Sequence, residues 1–266
     1  MKLRALVAAI VLGLAVTTVA LAQTGDAQPD GNAHPNVGAL LAPRADGSLR
    51  IICTGTLVSP RVFLTAAHCT SFMQSLGLER AYVTFDPNFG LNADRTIKAT
   101  PYVGTIHTNP HYKEPYRYDT AVVVLDQAAQ GIAPARIAPL GFLDGLKKSR
   151  ALEGTSFLNV GYGSSEQLVV PRTGPTFPFD GIRKWTVSQF SALDPMVVHL
   201  DQNLFRGNSG TGYGDSGGPT FVSTAGGPVV ISVVSSGDVP CYATSTNTRV
   251  DTEEAQAFLA PYLALR

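Results

Sequence analysis

An all-β fold is expected from three features of this chain: short apolar runs, frequent turn residues between them, and no strand–helix alternation. The runs "RIICTGTLV", "RVFLTAA", "AYVTF", "TIKATPYVGTIH" and "TAVVVLD" are rich in β-branched and aromatic residues. After a stretch bearing Pro, Gly and Lys at 134–150 the pattern resumes in "TSFLNVGYG", "RKWTVSQF", "MVVHLD", "GGPTFV" and "PVVISVVSSG". The 26 glycines and 18 prolines follow no short period and punctuate the runs. Many short strands with frequent turn signals point to barrels or sandwiches. Nothing suggests a parallel sheet joined by crossover helices.

The two ends differ from this body. Lys2 and Arg4 precede an uncharged, mostly apolar run that closes on Ala20-Leu21-Ala22. A charged start, an apolar middle and an A-x-A ending describe a cleavable signal peptide over 1–22, hence export. The run is also just long enough for a membrane anchor, but the small-residue ending and the polar "QTGDAQPDG" behind it favour cleavage. Residues 23–36 read as a polar lead-in, open to removal as a propeptide. At the other end Asp251 stands three before Glu254, a capping-box spacing, and Ala255, Phe258 and Leu259 share one helical face. A short helix followed by the tail is expected over 251–266.

Composition limits what the chain can do. Its 266 residues allow one large domain or two smaller ones, and 44% hydrophobic with 15% charged residues is globular rather than disordered. The formal net charge is 0, and slightly negative once the leader's Lys2 and Arg4 are removed. That balance predicts no nucleic-acid partner and no polybasic membrane patch. Three cysteines in an exported chain suggest one disulfide and one leftover thiol.

One stretch, "TGYGDSGGPTF", surrounds a single hydroxyl, Ser216, with glycines. Its G-x-S-x-G core matches a nucleophile elbow, which demands a later histidine as base. All five histidines (34, 68, 107, 111 and 199) precede Ser216, so the order His…Asp…Ser remains. A serine hydroxyl needs a base to take its proton, and imidazole titrates close to neutral pH. His68 in "FLTAAHC" is the base expected here. Asp119 in "YRYDTAVVVLD" stands just before an apolar strand, where a buried carboxylate could fix the imidazole. His107 and His111 have metal-pair spacing on a helix, but Asn109-Pro110 between them breaks one, and no metal is expected.

"LTAAHC", "DTAVVVL" and "GDSGGP", in this order, resemble the trypsin/chymotrypsin family of serine endopeptidases. Weaker likenesses, "NPHYKEPYRYD", "NVGYG" and "ISVVSSGD", extend over most of the chain beyond the leader. The resemblance implies two six-stranded antiparallel barrels with the site between them. The first would span 37–140 and carry His68 and Asp119; the second would span 141–250 and carry Ser216. It implies that Ser216 attacks the scissile carbonyl, that His68 shuttles the proton and that Asp119 orients His68. The amides of Gly214 and Ser216 would form an oxyanion hole, where one lost donor costs about 3 kcal/mol. No cofactor is implied.

The likeness also implies a Cys53–Cys69 disulfide beside His68 and leaves Cys241 over, because its family partner position is Gly212. The family's pocket-floor position is Gly210, which carries no charge, and Ser235, Ser236 and Gly237 match the pocket wall. Uncharged residues are therefore expected at the cleavage site, with Asp238 a loop residue at the entrance. Family zymogens are cut to free an apolar N-terminus that pairs with the acid beside the serine, here Asp215. No such sequence precedes "HPNVGALLAP", so another partner for Asp215 or an unrecognised cut is expected. The function expected is a secreted, monomeric serine endopeptidase acting on protein or peptide substrates. A catalytically silent homologue acting as a secreted binding module is the alternative.

Overall fold

The computed structural model describes residues 25–90, 101–164, 168–170, 174–176 and 179–265. The leader at 1–22 and residues 96–100 of the run "TIKATPYVGTIH" lie outside them. Six strands form the first barrel: β1 (Val37–Pro43), β2 (Leu49–Ser59), β3 (Val62–Thr65), β4 (Arg80–Thr84), β5 (Tyr102–Thr108) and β6 (Ala121–Leu125). They close antiparallel in the order β1-β2-β3-β6-β5-β4. Six more form the second: β7 (Phe157–Gly161), β8 (Lys184–Leu193), β9 (Val197–Asp201), β10 (Pro219–Thr224), β11 (Gly227–Gly237) and β12 (Thr244–Arg249). Their antiparallel order β7-β8-β9-β12-β11-β10 returns to β7. The expected pair of six-stranded barrels is what the chain forms.

β6 shows why its sequence runs apolar instead of alternating. Successive strand side chains face opposite ways. Val123 and Leu125 pack inside the first barrel with Leu40, Leu57, Phe63 and Val83. Val122 faces the other way, into a layer with Val37, Leu64, Val160, Phe221 and Val233 that joins the two barrels. Both faces are dry, so both must be apolar. Each such side chain contributes about 1.5–3 kcal/mol on burial.

Three helices are present among the described residues: α1 (Ala67–Ser75), α2 (Phe142–Lys148) and α3 (Glu253–Leu263). α3 is the expected C-terminal helix, and Ala255 and Leu259 are its buried face. Its cap differs from expectation. Thr252, not Asp251, caps it by accepting the Ala255 amide at 3.3 Å. Asp251 is claimed by Arg249 Nε at 2.8 Å and by the Leu143 amide at 2.7 Å, which ties α2 to the chain entering α3. α2 lies within the Pro-, Gly- and Lys-bearing stretch at 134–150 that separates the two sets of strands.

The polar lead-in is part of the body. Gln28–Pro29 pairs antiparallel with Trp185 and Lys184 of β8, and Ala27 and Asp30 are buried. Asp30 accepts Arg183 Nε at 2.8 Å, the His34 amide at 3.1 Å and His34 Nδ1 at 2.5 Å. Arg183, fully buried, spends its other donors on the carbonyls of Val37 and Phe85, on Tyr162 Oη and on Asn32 Oδ1. One guanidinium thereby joins the lead-in, the first barrel and the second. A buried ion of this kind is tolerable only when its donors are satisfied, as they are here.

Candidate active site

β3 ends at Thr65, Ala66 is extended (φ −89°, ψ 145°), and α1 begins at Ala67. His68 is therefore the second residue of a helix, where the backbone amide has no intrahelical partner. Asp119 supplies that partner: Oδ1 accepts the His68 amide at 2.7 Å, and Oδ2 meets His68 Nδ1 at 2.7 Å. Ser235 Oγ also donates to Oδ2. The carboxylate is wholly buried just before β6, and no Lys or Arg contacts it among the described residues. Its compensation comes from the helix start, the imidazole and a hydroxyl.

The loop before Asp119 holds Tyr116 and Tyr118 at positive φ (60° and 56°), a costly backbone for bulky residues. It sets the Tyr116 ring edge-on to His68, centroids 5.5 Å apart. Behind His68 the Cys53–Cys69 disulfide ties α1 to β2, as expected. His68 Nε2 lies 3.5 Å from Cys69 Sγ. Cys53, His68 and Cys69 form the closest metal-ligand cluster among the described residues, but the two sulfurs are bonded to each other and offer no thiolates.

Ser216 faces His68 across the crevice, and both line the same two cavities. No hydrogen bond joins Ser216 Oγ to His68 Nε2; such bonds are often long before substrate binds. The amides of Gly214 and Ser216 donate to no other group among the described residues, so both remain available to an oxyanion. The glycines around Ser216 have two separate jobs. Gly214 sits at φ +96°, and a Cβ there would lie 2.5 Å from Phe179. Gly217, at φ +78°, lets the loop press against the first barrel; its Cβ would lie 2.6 Å from the Thr54 carbonyl. Thr54 fastens this docking, its amide donating to Ser216 O and its hydroxyl to Gly214 O, each at 2.9 Å.

Asp215 is buried and accepts the amides of Gly163 and Gly212, both at 2.8 Å. The carboxylate occupies the space that side chains at Gly161 and Gly163 would fill. These bonds tie the start of the serine loop to the segment after β7.

The larger cavity, about 390 Å³, runs from His68 and Ser216 along Ser235, Ser236 and Gly237, the expected wall. Ser235 has a second role through its bond to Asp119. Gly210 does not line the cavity. Gln202, at the end of β9, occupies the space where a side chain at 210 would project, overlapping any Cβ there. Its Oε1 accepts the Thr211 amide at 3.0 Å, and Gln202 lines the cavity as a neutral amide. Sequence reading missed Gln202 and Tyr116, whose neighbours are brought in by the fold. Asp238 is a loop residue whose carboxylate accepts the amides of Tyr242, Ala243 and Thr244 at 2.7–3.0 Å. Cys241 is a free thiol on the cavity wall, pushed up to about 11 by burial and then by Asp238 and Asp215. At neutral pH it is not a thiolate nucleophile.

A histidine held by a buried carboxylate, a serine opposite it and two amides beside that serine that donate to no other described group match the arrangement of serine hydrolases. The family model for Trypsin matches residues 23–255, and the chain belongs to that family. Membership carries a serine-type peptidase function in general, acting on protein substrates. No curated protein matches the chain. Among the described residues, no helix is long and apolar enough to cross a membrane.

Proposed function

We propose that the protein is an exported serine endopeptidase whose Ser216 is acylated by its substrate. The observation that carries this reading is the pair of hydrogen bonds between Asp119 and His68, with Ser216 and two uncommitted amides in the same crevice. Ser216 Oγ attacks the scissile carbonyl as His68 Nε2 takes its proton. The oxyanion accepts hydrogen bonds from the Gly214 and Ser216 amides. His68 then returns the proton to the leaving nitrogen, and a water repeats the sequence to release the acid. Throughout, the Asp119 carboxylate faces the imidazolium and keeps Nδ1–H fixed. The neutral Gln202 floor favours an uncharged side chain before the cleaved bond.

A second reading has one observation in its favour: Ser216 and His68 are not hydrogen-bonded. On that reading the protein is a silent homologue that binds without cleaving. Treating residues 23–266 with a fluorophosphonate and reading the intact mass separates the two. One adduct that is absent from Ser216→Ala supports the peptidase; no adduct on folded protein, before and after limited proteolysis, supports the silent homologue. Export follows from the leader over 1–22, and action as a monomer is part of the same proposal.

A further inference from the structure

A second cavity, about 320 Å³, shares His68, Tyr213 and Ser216 with the first but is not lined by Gln202. Its walls include Arg50, Ile51, the Cys53–Cys69 disulfide, Phe72 and Tyr213, and none carries a carboxylate. Arg50 is half-buried on β2, its guanidinium 5.9 Å from the centroid of the Phe72 ring. Phe72 is itself 46% exposed, a large apolar face left open beside the crevice. Among the described residues, Arg50 Nε is buried with no hydrogen-bond partner and the side chain makes no ion pair. A guanidinium with no anion beside it, on the wall of a cavity next to the nucleophile, has its outer N–H donors left for an acceptor.

The chemistry sets which half of a substrate enters here. The leaving nitrogen must approach His68 Nε2 to receive its proton, and that atom lies against Cys69 Sγ. The acyl half occupies the Ser235–Gly237 side, so the leaving half passes over the disulfide toward Arg50 and Phe72. The geometry points to a leaving-side subsite in which Arg50, backed by the Phe72 ring, binds a carboxylate of the substrate. This inference rests on the serine-peptidase reading. The carboxylate has two sources: an acidic side chain of the leaving half, or the free C-terminus of a short leaving peptide. A planar guanidinium against an aromatic ring suits both through paired N–H donors.

Internally quenched peptides sharing one acyl half, with Glu, Gln or Lys at the second leaving position, test the subsite. Each is made with an amidated and with a free C-terminus. At low salt, kcat/KM for amidated Glu is expected to exceed that for Gln by about five- to tenfold, with Lys lowest and the ratio falling as salt rises. Arg50→Gln removes the ratio and Arg50→Glu inverts it toward Lys. Ratios within each protein cancel any change in folding or overall rate. A gain confined to free C-termini on short leaving peptides assigns the site to the terminal carboxylate. Equal Glu and Gln values together with no free-terminus gain, or ratios unmoved by Arg50→Glu, overturn the proposal. Calorimetry of the same peptides on Ser216→Ala asks the question without turnover: tighter Glu binding, lost with Arg50→Gln, supports the subsite even if the peptidase reading fails. Equal dissociation constants overturn it there too.

Discussion

The molecule contains two aspartate–histidine couples with nearly the same local geometry. Asp30 accepts the His34 amide and meets its Nδ1, and Asp119 does the same for His68. Both carboxylates are buried and both imidazoles are 22% exposed. What differs is the third partner. Asp30 has the buried Arg183 guanidinium, so its charge is neutralised whatever His34 does. Among the described residues Asp119 has a serine hydroxyl as its third partner and no Lys or Arg beside it. His34 stacks on Phe221, whereas His68 opens on Ser216. On the proposed function, the same couple is a brace when an arginine completes it and a proton-handling device when a serine faces it.

The largest effects should fall on the second couple. Ser216→Ala and His68→Ala should each lower kcat on a peptide substrate by about a millionfold, and substantial turnover in either would break the assignment. Asp119→Asn should lower kcat by about 10⁴-fold through loss of the correct tautomer. The same change at the first couple should act on folding instead. Asp30→Asn leaves Arg183 buried without its anion, for a cost of about 3–5 kcal/mol in urea unfolding, with kcat of the folded enzyme little changed. If the kcat losses at 30 and 119 were alike, the comparison would collapse.

A smaller effect separates the couples by their covalent support. His68 is next to a disulfide closing a short loop, and His34 has none. Replacing Cys53 and Cys69 with Ser should cost about 3 kcal/mol. Thiol titration of the denatured, unreduced protein should count one group, Cys241; three would refute the bond. Acid gives the smallest effect. Burial alone would raise the Asp30 carboxyl, but the His34 bonds and the Arg183 charge outweigh it and hold it at about 2, below the ordinary 3.8. Its stabilisation, about 2 kcal/mol, is complete above pH 3.8 and is lost as pH falls toward 2. Unfolding free energies of the wild type and Asp30→Asn should therefore draw closer by about 2 kcal/mol over that window.

His68, Asp119 and Ser216 could be picked out together because each sits in a local motif whose backbone demands are written beside it. The glycines around Ser216 and the apolar run after Asp119 need no long-range knowledge. Arg183 and Asp30 are 153 residues apart, and nothing near either announces the other. Gln202 comes to rest beside Gly210 only because β9 ends there. α2 was hidden by Gly145 and the turn residues around it. At α3, Asp251 and Thr252 are both good caps, and the choice is made by Arg249, which takes Asp251 for itself.

The glycine at 210 and the glutamine at 202 make a pair with a consequence for descent. An acidic floor would be the simplest route to cleavage after Lys or Arg, but any side chain at 210 collides with Gln202. Gly210→Asp alone must therefore displace the glutamine before it can serve a substrate. Gln202→Gly has to come first, and that intermediate leaves a hole at the floor and the Thr211 amide without its acceptor. The two changes are useful only in one order, through a step that is worse than either end. On the proposed function, a change of preference toward basic cleavage sites therefore has to pass through position 202 first.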